Sequence, residues 1–495
     1  MRPSALVRCL LVPLLLAGAA GSARADALAD AHRQVLEGYR RELEELARWC
    51  EARQLEVAAA STRSWLPADD PLVLYFFEVP AGFPSGAQTA GSQLSRDKAE
   101  WARRFRQLRE AQAERLMALA RRAVDERRCV LAWEWIFRIA RENPEHAEAR
   151  RLLGYVRHDD AWRTSFEVKQ LKAGRVWSDK FGWILKTQLV RYEAGERFYK
   201  ARWMTAAAEA ELRSDIQYGW KVETEHYLVT TNHSLEEGVR LAERLERLYR
   251  VWQQLFVRYL MSEADFKRWF EGRGPGPHDA GGQHDVFHYR SREEYVSALR
   301  SKQPRIEITN GIYFDTTQRA YFFAGNEESD ATVHHEATHQ LFHETRSVAK
   351  DVGRRDNFWI IEAIACYFES LTEHAGYSTL GGATAGRLPA AQRRLLIDNF
   401  YVPLEKLTAY SLGDLQRDPE IPRLYSESAG LATFLVHDGD GRYRDALVAY
   451  LDAVYSGKAD PGTLSRLAGV PYAELDAQYR AFLQRTIAMP ALPRP

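Results

Sequence analysis

The sequence predicts an α+β protein: a helical N-terminal region, a Trp-rich connector, and a second half in which a small sheet leads into a helix bearing two histidines. Three observations predict it. Apolar residues recur at helical spacing through most of residues 26–154, short runs alternate between apolar and polar residues from 226 to 323, and those runs lead into His335-Glu336-Ala337-Thr338-His339.

Of 495 residues, 45% are apolar, 27% charged and 12% aromatic, a composition that builds a core and is neither disordered nor collagen-like. Basic and acidic residues balance at 68 each. That balance argues against a nucleic-acid binder held by phosphate charge and against a polybasic membrane anchor.

Residues 1–25 read as a secretory leader. Arg2 and Arg8 form its charged start, residues 9–20 its apolar stretch, and Ala23-Arg24-Ala25 a small-x-small cleavage site before Asp26. The apolar stretch is shorter than the roughly 20 residues a membrane span needs, and no later segment is suited to spanning a bilayer. Cleavage after Ala25 removes three Arg and no acid, which leaves 65 basic against 68 acidic residues. The expected protein is secreted or periplasmic, with no transmembrane segment in the mature chain. Cleavage also removes Cys9 and leaves Cys50, Cys129 and Cys366, too few for a disulfide scaffold or a zinc ribbon. Cys50 and Cys129 lie in helical segments and can pair in an oxidising compartment.

In residues 26–60, Leu36, Tyr39, Leu43, Leu46 and Ala47 mark an amphipathic helix. Residues 65–95 break the period with Pro67, Pro71, Pro80 and Pro84 around one apolar run, 72–77, that suits a strand or a packed loop. From 97 to 154 the helical period returns, and Asn143-Pro144-Glu145 punctuates two helices. Arg103, Arg104, Arg106 and Arg109, interleaved with Glu, read as a solvated helix face. Residues 155–222 form the connector, whose Trp162, Trp177, Trp183, Trp203 and Trp220 are expected to pack as core.

The last region, 223–490, opens with a strand at 226–231 and a long amphipathic helix at 235–259. After a Gly/Pro-rich loop at 272–282 come a strand at 286–289, a helix at 292–299, and strands at 311–314 and 319–323 joined as a hairpin by 315–318.

The next helix, capped by Ser329 or Asp330, carries the chemistry. His335 and His339 are four apart, so at about 100° per residue they project about 40° from one another, with Glu336 in the same sector. Two imidazoles on one face can hold a metal ion, with a carboxylate beside the remaining coordination position. Val333, Ala337 and Leu341 lie round the back and can pack. His334 projects about 100° from His335 and reads as a packed neighbour, while His343, a turn beyond His339, can reach only substrate or surface.

A third ligand decides the matter. The metzincin continuation would need Gly at 342 and His at 345, and Phe342 and Thr345 stand there. A Glu on a following helix is the other solution, and Glu362 lies 23 residues after His339 in the apolar run 357–369. An acid among Trp and Ile is costly unless it is paired or bound to metal; a carboxylate that orients a neighbouring Arg is the alternative. Glu362, Cys366 and Glu369 share one sector of that helix.

His335-Glu-Ala-Thr-His339 followed by Trp359-Ile-Ile-Glu362-Ala-Ile-Ala-Cys-Tyr367-Phe-Glu369 resembles the thermolysin-like gluzincin metallopeptidases, whose second motif reads W-x-x-E-G-x-A-x-Y-x-E. More narrowly, residues 226–450 resemble the peptidase-like domain-of-unknown-function family 1570 of secreted bacterial proteins. The resemblance covers a little under half the chain. It implies a zincin-type domain, a Zn2+ held by His335, His339 and Glu362, Glu336 as general base, and Glu369 supporting a ligating His. Ala363 departs from the pattern's Gly, and Cys366 stands where thermolysin-like members place an acidic partner, which leaves the hydrogen bonding of the ligating His unassigned.

By the same resemblance, zinc-activated water attacks a peptide carbonyl while Glu336 moves the proton to the leaving amine. Gluzincins generally supply an oxyanion donor some sixty residues after the third ligand, and Tyr425, 63 residues after Glu362, fits that expectation. A tyrosine packed at the start of a helix reads equally well. His437 is the competitor, beside Asp438-Gly439-Asp440-Gly441, which lacks the closing Glu of a calcium loop and reads as a helix stop. The strand 319–323 occupies the place where gluzincins hold an extended substrate. The expected function is a secreted zinc peptidase acting on a peptide or polypeptide. The alternative is a non-catalytic zinc-containing scaffold that uses its helical region for protein partners, although a purely structural site has no use for Glu336.

Overall fold

The computed structural model describes residues 14–68, 70–83, 93–279, 281–325 and 329–487. The side chains of the leader expected at 1–25 lie outside the described ones, and Pro84 lies outside the described residues. The chain mixes helices with small sheets and divides into two compact units, one of residues 1–67 and 79–150, the other of 68–78 and 151–495. Among the described residues no helix is long and apolar enough to cross a membrane.

The first unit is helical: Leu14–Glu51, Glu56–Arg63, Gln93–Asp125 and Cys129–Glu142. Ala47, Cys50, Leu55, Ala58 and Ala59 bury one seam between the first two. Cys50 and Cys129 are both buried. The expected solvated arginine face holds for Arg103, Arg104 and Arg106, which pair with Glu100 and Glu110. Arg109 departs from it. Its side chain is buried between the Trp65 ring, 4.1 Å from the guanidinium, and the Glu142 carboxylate at 3.6 Å, because an aromatic face and a buried acid together compensate its desolvation.

Within the second unit, the connector is a threefold repeat of β-hairpin and helix. Tyr155–His158 pairs with Ala161–Thr164, Arg175–Ser178 with Gly182–Leu185, and Glu196–Tyr199 with Arg202–Thr205, each hairpin leading into a short helix. Gly154, Gly174 and Gly195 open the repeats in the left-handed region, at φ 80, 74 and 88, where the preceding helix must stop and reverse. Trp162, Trp177, Trp183 and Trp203 are half-buried, Trp177 and Trp183 meeting edge-on within one hairpin, and of the five only Trp220 is buried. The connector is therefore a repeat array whose Trp residues pack on small hairpins, which have too little interior to bury an indole.

The main sheet has five strands in the order Ile312–Phe314, Arg319–Phe323, His284–Tyr289, Tyr227–Thr231, Trp220–Glu223. The three middle strands are parallel, with Val286 opposite Ala320 and Val229, and each outer strand joins antiparallel. Successive side chains alternate faces. Ala320 and Phe322 enter the large core with Val229 and Val286, whereas Tyr321 and Phe323 join Tyr295 and Leu299 of the Arg292–Leu299 helix on the other face. The strand 319–323 is thus interior, paired on both edges and buried, and its main chain has no free edge for a ligand. The edge strands are Ile312–Phe314, beside it, and Trp220–Glu223 at the far side. A second sheet pairs Val73–Phe77 with Tyr377–Gly381, so the 72–77 run is a strand.

Against the main sheet pack the helices Leu235–Leu255 and Asp330–Glu344, and Phe358–Phe368 packs in turn on Asp330–Glu344 and on Ile421–Gly441. Val333, Ala337 and Leu341 are buried on the inner face of Asp330–Glu344, as the spacing predicts.

Candidate metal centre

Ser329 caps the Asp330–Glu344 helix by accepting a hydrogen bond from the Thr332 amide. With its back anchored, the helix turns His335, Glu336 and His339 toward Glu362 on Phe358–Phe368. That second helix starts from Asn357 in the left-handed region at φ 57, where Asn is among the few tolerated residues, and the Tyr450 hydroxyl donates to its side chain. Every residue from Phe358 to Phe368 is buried, so Glu362 is an acid in an apolar helix.

His335 Nε2 and His339 Nε2 stand 3.2 Å apart, and Glu362 Oε2 lies 3.5 and 3.7 Å from them. A tetrahedral ion bound at about 2.0–2.1 Å separates its donors by roughly 3.4 Å, so the three atoms span one face of such a shell. These residues are a candidate metal-binding group. Burial would raise the Glu362 carboxyl, but the imidazoles of His339 and His335 outweigh it and hold the carboxyl below its ordinary range. Burial likewise opposes charge on His335; hydrogen bonds to Cys366, Glu362 and Glu369 outweigh it and raise that imidazole. Three buried polar groups that satisfy one another in this way are the arrangement a cation would stabilise.

Glu369, one residue past the helix, accepts from His335 Nδ1 at 2.9 Å. The ring's other nitrogen then faces the donor cluster. Cys366 Sγ lies 3.9 Å from the same Nδ1, a weaker partner. Glu369 in turn receives two hydrogen bonds from Arg387. Glu336 Oε2 accepts from the Tyr313 amide at 2.9 Å. Tyr313 sits opposite Ala320 in the edge strand, and its amide points away from that partner and into the site.

Tyr425 on Ile421–Gly441 faces the cluster. Its phenol is pushed up first by burial and then by the nearby Glu362 and Cys366, so it stays a protonated donor. His437 does not reach the site. It is buried, donating from Nδ1 to the Pro71 carbonyl at 3.1 Å and accepting from the Tyr367 hydroxyl at 2.8 Å. The backbone leaves helical geometry at Asp438, Gly439 and Asp440, and the Asp438 carboxylate pairs with Arg442 and Arg485, so this segment ends a helix. His343 is neither free nor on the surface: its ring packs on Tyr313 and Tyr455 at 5.8 and 5.2 Å, because the end of the helix is covered by the edge strand and a C-terminal helix. His334 is 1% exposed, a core residue.

Sequence reasoning missed Arg387 and the Tyr313 amide. The first follows no spacing rule, and the second is a main-chain group; only the glycines at 381, 382 and 386 signal the turn that delivers Arg387. No protein-family model matches the chain, and no curated protein matches it significantly by sequence.

Proposed function

We propose that the chain is an exported, gluzincin-type zinc peptidase. The observation that carries the reading is the convergence of His335 Nε2, His339 Nε2 and Glu362 Oε2 at tetrahedral spacings, with Glu336 adjacent and held. Two neutral imidazoles and one carboxylate suit zinc and leave an open coordination position. When bound, zinc supplies Lewis acidity that polarises the scissile carbonyl and acidifies the attacking water.

The remaining steps belong to the chain. Glu336 has one oxygen fixed by the Tyr313 amide, which leaves the other to take a proton from the attacking water and pass it to the leaving amine nitrogen. The Tyr425 hydroxyl, protonated and facing Glu362, donates to the oxyanion of the tetrahedral intermediate. Glu369 fixes the His335 ring. A polypeptide lying along Ile312–Phe314 would meet the outer side of that edge strand, where the Tyr313 carbonyl can accept while its amide stays on Glu336, in place of the interior strand 319–323. The test is stoichiometric zinc in the purified protein together with casein hydrolysis that chelation abolishes and zinc restores.

A further inference from the structure

We propose that Arg387 is a positioning residue of this metal centre, acting through Glu369 on His335; the inference rests on the metal reading above. Glu369 Oε1 accepts from His335 Nδ1 at 2.9 Å and from Arg387 Nη2 at 2.6 Å, while Oε2 accepts from Arg387 Nε at 2.7 Å. The guanidinium therefore grips both carboxylate oxygens in one plane, which no single-pronged cation does. Glu369 stands just beyond the last turn of its helix, where a long side chain is otherwise free to swing. If it swung, His335 Nδ1 would be left facing the Cys366 thiol, a weak partner that fixes neither tautomer nor ring plane.

The chain builds Arg387 into place. Gly381, Gly382 and Gly386 turn the chain out of the second sheet at positive φ, and both ends of the turn lie against Ser370, the residue after Glu369. Ser370 Oγ accepts from the Gly381 amide at 3.0 Å, and a side chain at Gly386 would lie 3.0 Å from Ser370 Cβ. Arg387 then stands across from Glu369 with its guanidinium 5.7 Å from the Tyr425 ring.

The test measures zinc affinity of the full-length protein by competition with a chromophoric chelator. Arg387→Gln should bind zinc about 10-fold more weakly, and Glu369→Gln about 10- to 100-fold. The double variant should lose no more than Glu369→Gln alone, because Arg387 acts only through that carboxylate. Arg387→Lys should recover part of the loss, and it carries the same test if the Gln variant does not fold. Wild-type affinity in both Arg387 variants, or losses that add in the double variant, would overturn the positioning role. A wild-type protein that takes up no zinc would overturn the metal reading and this inference together.

Discussion

His335 Nδ1, on one helix, and Glu369 Oε1, just past the end of another, stand 2.9 Å apart, and this contact decides which nitrogen of His335 faces the donor cluster. Because Nδ1 is occupied, Nε2 is the atom that meets His339 and Glu362. The same side chain is held from behind by Arg387, so the orientation of one imidazole depends on the turn that leaves the second sheet.

Glu362 supplies the one anionic donor of the three. Glu362→Ala should reduce zinc in the purified protein from stoichiometric to a small fraction, measured by elemental analysis after dialysis. Retention of full zinc would remove Glu362 from the ligand set.

Tyr425 should act in the chemical step alone. Tyr425→Phe is expected to lower kcat roughly 100- to 1000-fold, the cost of one oxyanion donor, with KM and zinc content close to wild type. Unchanged kcat would make Tyr425 a packing residue.

Buried His437 gives a pH dependence of stability. Burial, aided by Arg444, lowers its imidazole from 6.5 to about 3. The unfolded chain therefore binds a proton at this site below pH 6.5 that the folded chain refuses, so stability is lost as pH falls from 6.5 toward 3. At about 1.4 kcal/mol per pH unit, roughly 2 kcal/mol goes between pH 6.5 and 5. His437→Gln, whose amide can satisfy Pro71 and Tyr367, should flatten the pH dependence of the unfolding free energy by about one proton; an unaltered slope would contradict the buried neutral assignment.

Gly381 cannot carry a side chain. Its φ is 89, and a Cβ would meet the Leu72 carbonyl oxygen at 2.3 Å and His437 Nε2 at 2.7 Å. Gly381→Ala should destabilise the protein by at least roughly 1–3 kcal/mol from strain alone, read from denaturant unfolding. It should also weaken zinc binding, since the same turn delivers Arg387.

The donors were legible in the sequence because helical periodicity is strict: a spacing of four from His335 to His339 puts them on one face whatever packs around them. The alternation of 226–231 and 319–323 likewise marked strands. Pairing order was not legible. A run such as Tyr321-Phe322-Phe323 reads the same at an edge and in the interior, and only the register of Ile312–Phe314 against it settles which strand is open. The hairpin repeats left a signal in the spacing of Gly154, Gly174 and Gly195 and of Trp162, Trp183 and Trp203, obscured because the other positions differ between copies. Arg109 and Arg387 share a different reason: an arginine's setting is decided by the carboxylates and rings that other segments bring to it.

The most direct test of the central claim compares zinc-loaded wild type with Glu336→Gln in casein hydrolysis. The expected result is equal zinc content and loss of measurable activity in the variant, because the amide keeps the Tyr313 hydrogen bond yet cannot accept the proton. Equal hydrolysis by both forms, or no hydrolysis by fully zinc-loaded wild type, would contradict the claim.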